Sequence, residues 1–223
     1  MHSIETTKRL TMSAMMIAIA VALAFLCGLV PFLHLPFGGG FTIASMLPIV
    51  IVSYMYGVRW GLFTSFVYSI LQILMDLMLG TGGSVIMALF MPQSDGYMGA
   101  LAGIFILLID YLIAYTVLGL GGIFRNRIKN KSLALCLGAI VALSLRYLAH
   151  IVSGYIFYGA WAEWFFSQEG FALGAWFLDV MSGQILALFY SIVYNGLYMI
   201  PEIIVTAVAA IVIARIPQIK KEK

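Results

Sequence analysis

Long apolar stretches alternate with short polar ones along the whole chain. Most approach the ~20 residues that a helix needs to cross a bilayer. They predict six helices, at about 10–30, 42–57, 60–79, 98–124, 133–158 and 186–214. Only Gly57-Val58-Arg59 separate the second helix from the third, and the second is short, with a bend expected at Pro48. Pro31 to Phe41, Gly80 to Tyr97 and Gly159 to about Gln184 read as loops. The third loop carries Trp161, Trp164, Phe165, Phe166, Phe171, Trp176 and Phe177. Such rings favour the membrane interface, and part of this loop suits a short amphipathic helix. No internal repeat or low-complexity segment interrupts the pattern. We expect an all-α membrane protein whose residues 1–223 form one integral domain.

Composition removes the soluble alternative. The chain is 63% apolar and 9% charged, with mean hydropathy +1.07. Soluble domains carry about 25% charged residues, and no soluble core absorbs such an apolar excess. The run from Leu10 to Val30 is too long for a signal-peptide core and reads as a retained first helix. Cys27 and Cys136 fall near opposite membrane faces, too far apart to bridge, and read as packing residues.

Charge then sets the orientation. Lys8 and Arg9 precede the first helix, and Arg59 lies between the second and third. Arg125, Arg127, Lys129 and Lys131 lie between the fourth and fifth, and Arg215, Lys220, Lys221 and Lys223 follow the sixth. With six spans all of these share one side, which the positive-inside rule makes cytoplasmic. Both termini are therefore expected inside, and the three long loops, with Asp95, Glu163, Glu169 and Asp179, outside. Basic residues scattered over flanks do not form a nucleic-acid footprint.

Several chemistries have no motif here. Gly80-Thr81-Gly82-Gly83-Ser84 lacks the lysine of a phosphate-binding loop. His2, His34 and His150 have no metal-ligand spacing, and neither a zinc-protease nor a serine-hydrolase signature stands out. No metal or cofactor is expected, and energy for any transport must come from an ion gradient or a separate protein.

Polar residues inside the apolar runs are the functional candidates, because such groups are costly in a bilayer. Asp110 and Tyr111 fall in the fourth helix. Arg146 and His150 share one face of the fifth, and Tyr190 and Asn195 fall in the outer half of the sixth. Together they suit a pocket for a small, flat, polar and cationic ligand, held by a carboxylate and aromatic rings. Structural readings stand beside this one. Asp110 pairing with Arg146 makes a buried salt bridge, and His150 or Asn195 makes interhelical glue. Asp76 and Glu202 lack context and read as packing or interface residues. On the first helix, Ala14, Ala18 and Ala22 recur every four residues, a stripe that lets another helix approach, either within the protein or from a partner.

These segments carry a family resemblance. Leu145-Arg146-Tyr147-Leu148-Ala149-His150-Ile151-Val152-Ser153-Gly154, then Phe157-Tyr158-Gly159, resembles the fifth-helix signature of the thiamine-binding S components of energy-coupling factor (ECF) transporters. Tyr190-Ser191-Ile192-Val193-Tyr194-Asn195-Gly196, with Tyr198 to Pro201, and Asp110-Tyr111 with Gly119 to Phe124 resemble its sixth- and fourth-helix motifs. Leu35-Pro36, Gly38-Gly39-Gly40, Pro48-Ile49 and Gly57 to Gly61 resemble its first loop and second helix. The likeness runs in order over most of the chain and is weakest over 80–97 and 160–185, where this sequence is longer.

The resemblance implies a non-enzymatic six-helix bundle in the bacterial cytoplasmic membrane. It implies thiamine capture from outside, and transport with a membrane coupling protein and two ATPase subunits. Binding residues would be Asp110, Tyr111, His150, Gly154, Tyr158, Tyr190 and Asn195, with Ala14, Ala18 and Ala22 as docking contacts. Asp110 stands where some relatives carry Glu, and Tyr158 where Trp is common. Phe37 and Phe41 are both candidates for an aromatic that closes the pocket, with Gly38–Gly40 as hinge. Rival readings are an S component for another vitamin or a thiamine precursor, and a stand-alone carrier using Asp110 as its proton site. An intramembrane enzyme built on Asp110, His150 and Asp76 has no supporting motif.

Overall fold

A backbone in lipid must satisfy its own hydrogen bonds, and an apolar helix does so within one segment. The computed structural model, which describes residues 2–34, 40–79, 85–93, 97–169 and 171–219, is accordingly helical. Among the described residues there is no strand, only one antiparallel bridge between His34 and Gly40. Among the described residues, five segments are long and apolar enough to cross a membrane: Ile4–Gly28, Val58–Met78, Ala100–Gly122, Lys131–Phe157 and Gly183–Ile213. They belong to α1 (His2–Gly28), α3 (Val58–Leu79), a composite fourth helix, α7 (Lys131–Phe157) and α10 (Gly183–Ile213).

The second helix departs from expectation. α2 spans Leu47–Tyr56, not 42–57. Pro48 lies in its first turn, where a missing N–H is no loss, so it starts the helix rather than bending it. Gly57 alone, at φ 93°, turns the chain from α2 into α3. Ten residues give α2 about 15 Å, half a bilayer core, and all ten are buried.

The expected helix at 98–124 is also not one α-helix. It runs through α5 (Ala100–Ile106), a π-helical turn (Leu107–Ile113), α6 (Ala114–Thr116) and a 3-10 turn (Val117–Gly122). Asp110 and Tyr111 sit in the π turn, which inserts a residue and re-aims its side chains. The 3-10 turn is glycine-rich and packs hard against its neighbours. Ser53 of α2 donates to the Gly119 carbonyl and accepts from the Gly122 N–H at 2.9 Å. A Cβ at Gly138 of α7 would lie 1.9 Å from the Gly121 oxygen, so only glycine permits this approach.

Among the described residues, two of the expected loops contain short α-helices. α4 (Val85–Phe90) lies in the second; its Gly80–Ser84 stretch and Asp95 fall outside the described residues, as do Phe37–Gly39 of the first and Lys220, Lys221 and Lys223 of the tail. The third contains a 3-10 turn (Gly159–Trp161), α8 (Ala162–Phe166) and α9 (Gly174–Val180). Phe165 and Phe166 of α8 are buried with Phe177 and Tyr190, forming an aromatic cluster over one end of α10. Cys27 and Cys136 are free and buried. Outward faces of the spans stay apolar, as at Leu101, Ile156, Ile204 and Val212.

Candidate functional site

α7 and α10 form a tight pair whose polar residues bond across it. Ser191 donates to the Ile151 carbonyl at 2.7 Å and Tyr147 to the Ile192 carbonyl at 2.6 Å. Asn195 Nδ2 donates to Ser191 O at 2.8 Å and His150 O at 3.2 Å, and Oδ1 accepts from Tyr198. Asn195 thus does the work of interhelical glue while one side of it faces a cavity. A Cβ at Gly154 would stand 2.2 Å from Ser191 Oγ, so the close contact of the two helices requires glycine there.

The cavity beside this pair has a volume of about 340 Å³, within the range of small-molecule sites. α7 contributes Arg146, His150 and Gly154, and Tyr158 follows at its end. α10 contributes Tyr190, Tyr194, Asn195 and Tyr198. The fourth helix supplies Ile106, Asp110, Tyr111 and Tyr115, and the first loop supplies Gly40. Asp110, Tyr111, His150, Gly154, Tyr158, Tyr190 and Asn195, all nominated by sequence, therefore meet in one place. Gly40 reaches the cavity, whereas neighbouring Phe41 does not; Phe37 lies outside the described residues.

Asp110 does not pair directly with Arg146; His150 stands between them. Arg146 Nε–H donates to His150 Nε2 at 3.2 Å, so the imidazole carries its proton on Nδ1. That nitrogen lies 2.9 Å from Asp110 Oδ1, and Ser153 donates to Oδ2 at 2.7 Å. Each carboxylate oxygen keeps acceptor capacity for a further donor. Arg146 is 6% exposed, and its guanidinium lies 4.1 Å from the Tyr115 ring centroid and donates to the Met46 sulfur. The buried cation is thus held by a ring, a thioether and a relay to a carboxylate.

Six tyrosines line the cavity. Tyr190, Tyr194 and Tyr198 recur every four residues on one face of α10, with neighbouring ring centroids 5.6 and 6.3 Å apart. Burial holds the Tyr158 phenol well above the usual tyrosine range, so it is neutral at physiological pH and both donates and accepts. Tyr111 hydrogen-bonds Asp76, whose Oδ2 also accepts the Ile86 N–H at 3.0 Å, tying α4 to the site. A carboxylate, an imidazole and several tyrosine π faces together favour a flat ligand with a positive charge and N–H donors.

Sequence reasoning passed over Tyr115, Tyr194 and Tyr198 as site residues. The four-residue spacing of tyrosines on α10 was the available signal. Gly40 reads from sequence as part of a hinge, not as a lining residue. Among the described residues no group of three or more His, Cys, Asp or Glu side chains could hold a metal.

A family model described as "Thiamine transporter protein" matches residues 11–168. The thiamine transporter ThiT of Bacillus subtilis (strain 168) is 28% identical over 217 residues, covering 93% of this chain and 91% of that protein. Among solved structures, that of ThiT from Listeria monocytogenes shares the fold, with a TM-score of 0.63 at 18% identity over 96% of this chain and 98% of the other.

Proposed function

Since this chain belongs to the thiamine transporter protein family, we propose that it captures thiamine from outside the cell as the substrate-binding subunit of an ECF transporter. The family is one of transporters rather than enzymes, and the chain is a multi-pass membrane protein with several apolar helices. On this reading it is a single domain in the bacterial cytoplasmic membrane, with six crossings and both termini inside. α2 and the residues leading into it make the sixth crossing. Lys8, Arg9, Arg59, Arg125, Arg127, Lys129, Lys131 and Arg215 then share the cytoplasmic side.

The observation that carries the reading is the chemistry gathered in the cavity. Thiamine joins a permanently cationic thiazolium to an aminopyrimidine, both flat. Asp110, free to accept on both oxygens, takes the amino group or balances the thiazolium charge. His150 and Tyr158 flank the rings, and Tyr111 and Tyr190 supply aromatic faces and hydroxyls. Gly154 lets the ligand approach the backbone, and Asn195 holds that wall in register.

Transport itself needs partners on this reading: a membrane coupling protein and two ATPase subunits, since the chain has no phosphate-binding loop of its own. Ala14, Ala18 and Ala22 are exposed along one face of α1 and offer the coupling protein a smooth surface.

Calorimetric titration of the ligand-free chain with thiamine tests this. One-to-one binding, clearly weakened in Asp110→Asn and His150→Ala, is expected. Folded protein that ignores thiamine but binds another vitamin would replace the ligand. Gradient-driven uptake into vesicles holding this chain alone would overturn the need for an ATPase.

A further inference from the structure

Between the first loop and α2, residues 40–46 form no helix, yet Thr42 is bonded to the interior of the apolar span Gly183–Ile213. Non-helical backbone at that depth must find other partners for its N–H groups. Thr42 N–H donates to Glu202 Oε2 at 2.6 Å, and its hydroxyl donates to the same oxygen at 2.7 Å. That hydroxyl also bonds Ser45 Oγ at 2.6 Å, and the Ile43 N–H reaches Cys27 Sγ at 3.3 Å. Within the strap, Ala44 takes φ 54°, a left-handed conformation unfavourable for any residue but glycine. The strap keeps this geometry because it is tied from outside.

Both ends of the strap serve the cavity. Gly40 lines it, and the Met46 sulfur accepts from Arg146, which in turn donates to His150. Glu202 is 2% exposed and does not itself line the cavity. We propose that Glu202 is a positioning residue for the binding site: by anchoring Thr42 it fixes the strap, and through Gly40 and Met46 the cavity wall and the Arg146–His150–Asp110 chain. The inference rests on the cavity being the thiamine site. It requires an acceptor at position 202, not a charge.

Three variants decide it. Glu202→Gln keeps an oxygen for both Thr42 donors; Glu202→Ala removes it; Thr42→Val removes the hydroxyl bonds to Glu202 and Ser45 and keeps the N–H bond to Glu202. Stopped-flow thiamine binding should show about tenfold faster dissociation in Glu202→Ala, association within about twofold of wild type, and Glu202→Gln within about threefold. Thr42→Val should dissociate about threefold faster, and it decides the matter if Glu202→Ala does not fold. Hydrogen exchange over 40–46, measured without ligand, should rise in Glu202→Ala and not in Glu202→Gln. Wild-type dissociation in both Glu202→Ala and Thr42→Val, or a Gln variant as damaged as the Ala one, would overturn the proposal. Wild-type protein that binds no thiamine would sink the proposed function instead; the exchange data would then still decide whether Glu202 anchors the strap.

Discussion

The cavity has two walls of different construction. α7 and α10 meet it as regular helices, sealed together by Ser191, Tyr147 and Asn195 and by the absence of a side chain at Gly154. Opposite them stand a π turn carrying Asp110 and Tyr111 and a non-helical strap carrying Gly40. A regular wall holds its side chains through helix packing, which many contacts share. An irregular wall holds them through a few specific bonds: Ser153 and His150 on Asp110, Asp76 on Tyr111, Glu202 on Thr42. The contrast teaches where function is concentrated and where it is distributed. Single changes on the irregular side should cut binding steeply, while those on the regular side should be buffered by their neighbours.

The sharpest test lies on the irregular wall. Asp110→Ala removes the acceptor for two protein donors and, on the proposed reading, for the ligand. We expect thiamine affinity to fall about 100-fold, or ~3 kcal/mol, by calorimetry. A loss below about threefold would mean that the aromatic faces, not the carboxylate, carry recognition.

Gly154→Ala probes the regular wall. Its Cβ would meet Ser191 Oγ at 2.2 Å and Asn195 Nδ2 at 3.1 Å, so α10 must move away from α7. About 2 kcal/mol of stability and roughly tenfold in affinity should be lost. An effect on binding larger than that of Asp110→Ala would invert the comparison.

Phe165→Ala acts from behind the regular wall. Its ring is fully buried and packs 5.4 Å from Tyr190 and 5.7 Å from Tyr194. Thermal unfolding should report a loss of about 3 kcal/mol, while affinity falls only about threefold because α7 still fixes α10. Destabilisation without a steep binding defect is the mark of a shared, buffered wall.

The two walls also differ in how legible they were in the sequence. Hydropathy places every long span, and helical periodicity puts Arg146 with His150 on a shared face; the same spacing of Tyr190, Tyr194 and Tyr198 was present but passed over. The family-like motifs nominate all seven binding candidates, and these line one cavity. What escaped is the irregular backbone. A π turn leaves no mark on an apolar pattern, so 98–124 reads as one helix. Residues 42–46 are as helix-compatible by composition as α2 itself, and only the position of Pro48 in a first turn hints at a later start. Glu202 and Asp76 are uninterpretable alone, because their partners, Thr42 and Tyr111, are 160 residues away in the first case and on another helix in the second. Long-range hydrogen bonds to irregular backbone have no sequence period.

The smallest expected effect on binding comes from a surface that touches neither wall. Ala14, Ala18 and Ala22 are exposed on α1, one helical turn apart, while neighbouring Ser13 on another face is buried and accepts from Trp60 Nε1 at 2.9 Å. α1 supplies no residue to the cavity. Ala18→Trp adds bulk to that outward face alone, so thiamine affinity of the isolated chain should stay within about twofold of wild type. If the stripe is the seat of a coupling protein, the same change blocks close helix approach and vitamin uptake by cells expressing the complete transporter should collapse. Binding retained with uptake lost would separate capture from coupling and place them on different faces of one bundle. Uptake unaffected by a tryptophan at the centre of the stripe would remove α1 as the docking face. Loss of affinity as well would mean that α1 sets the cavity through α2, against which it packs.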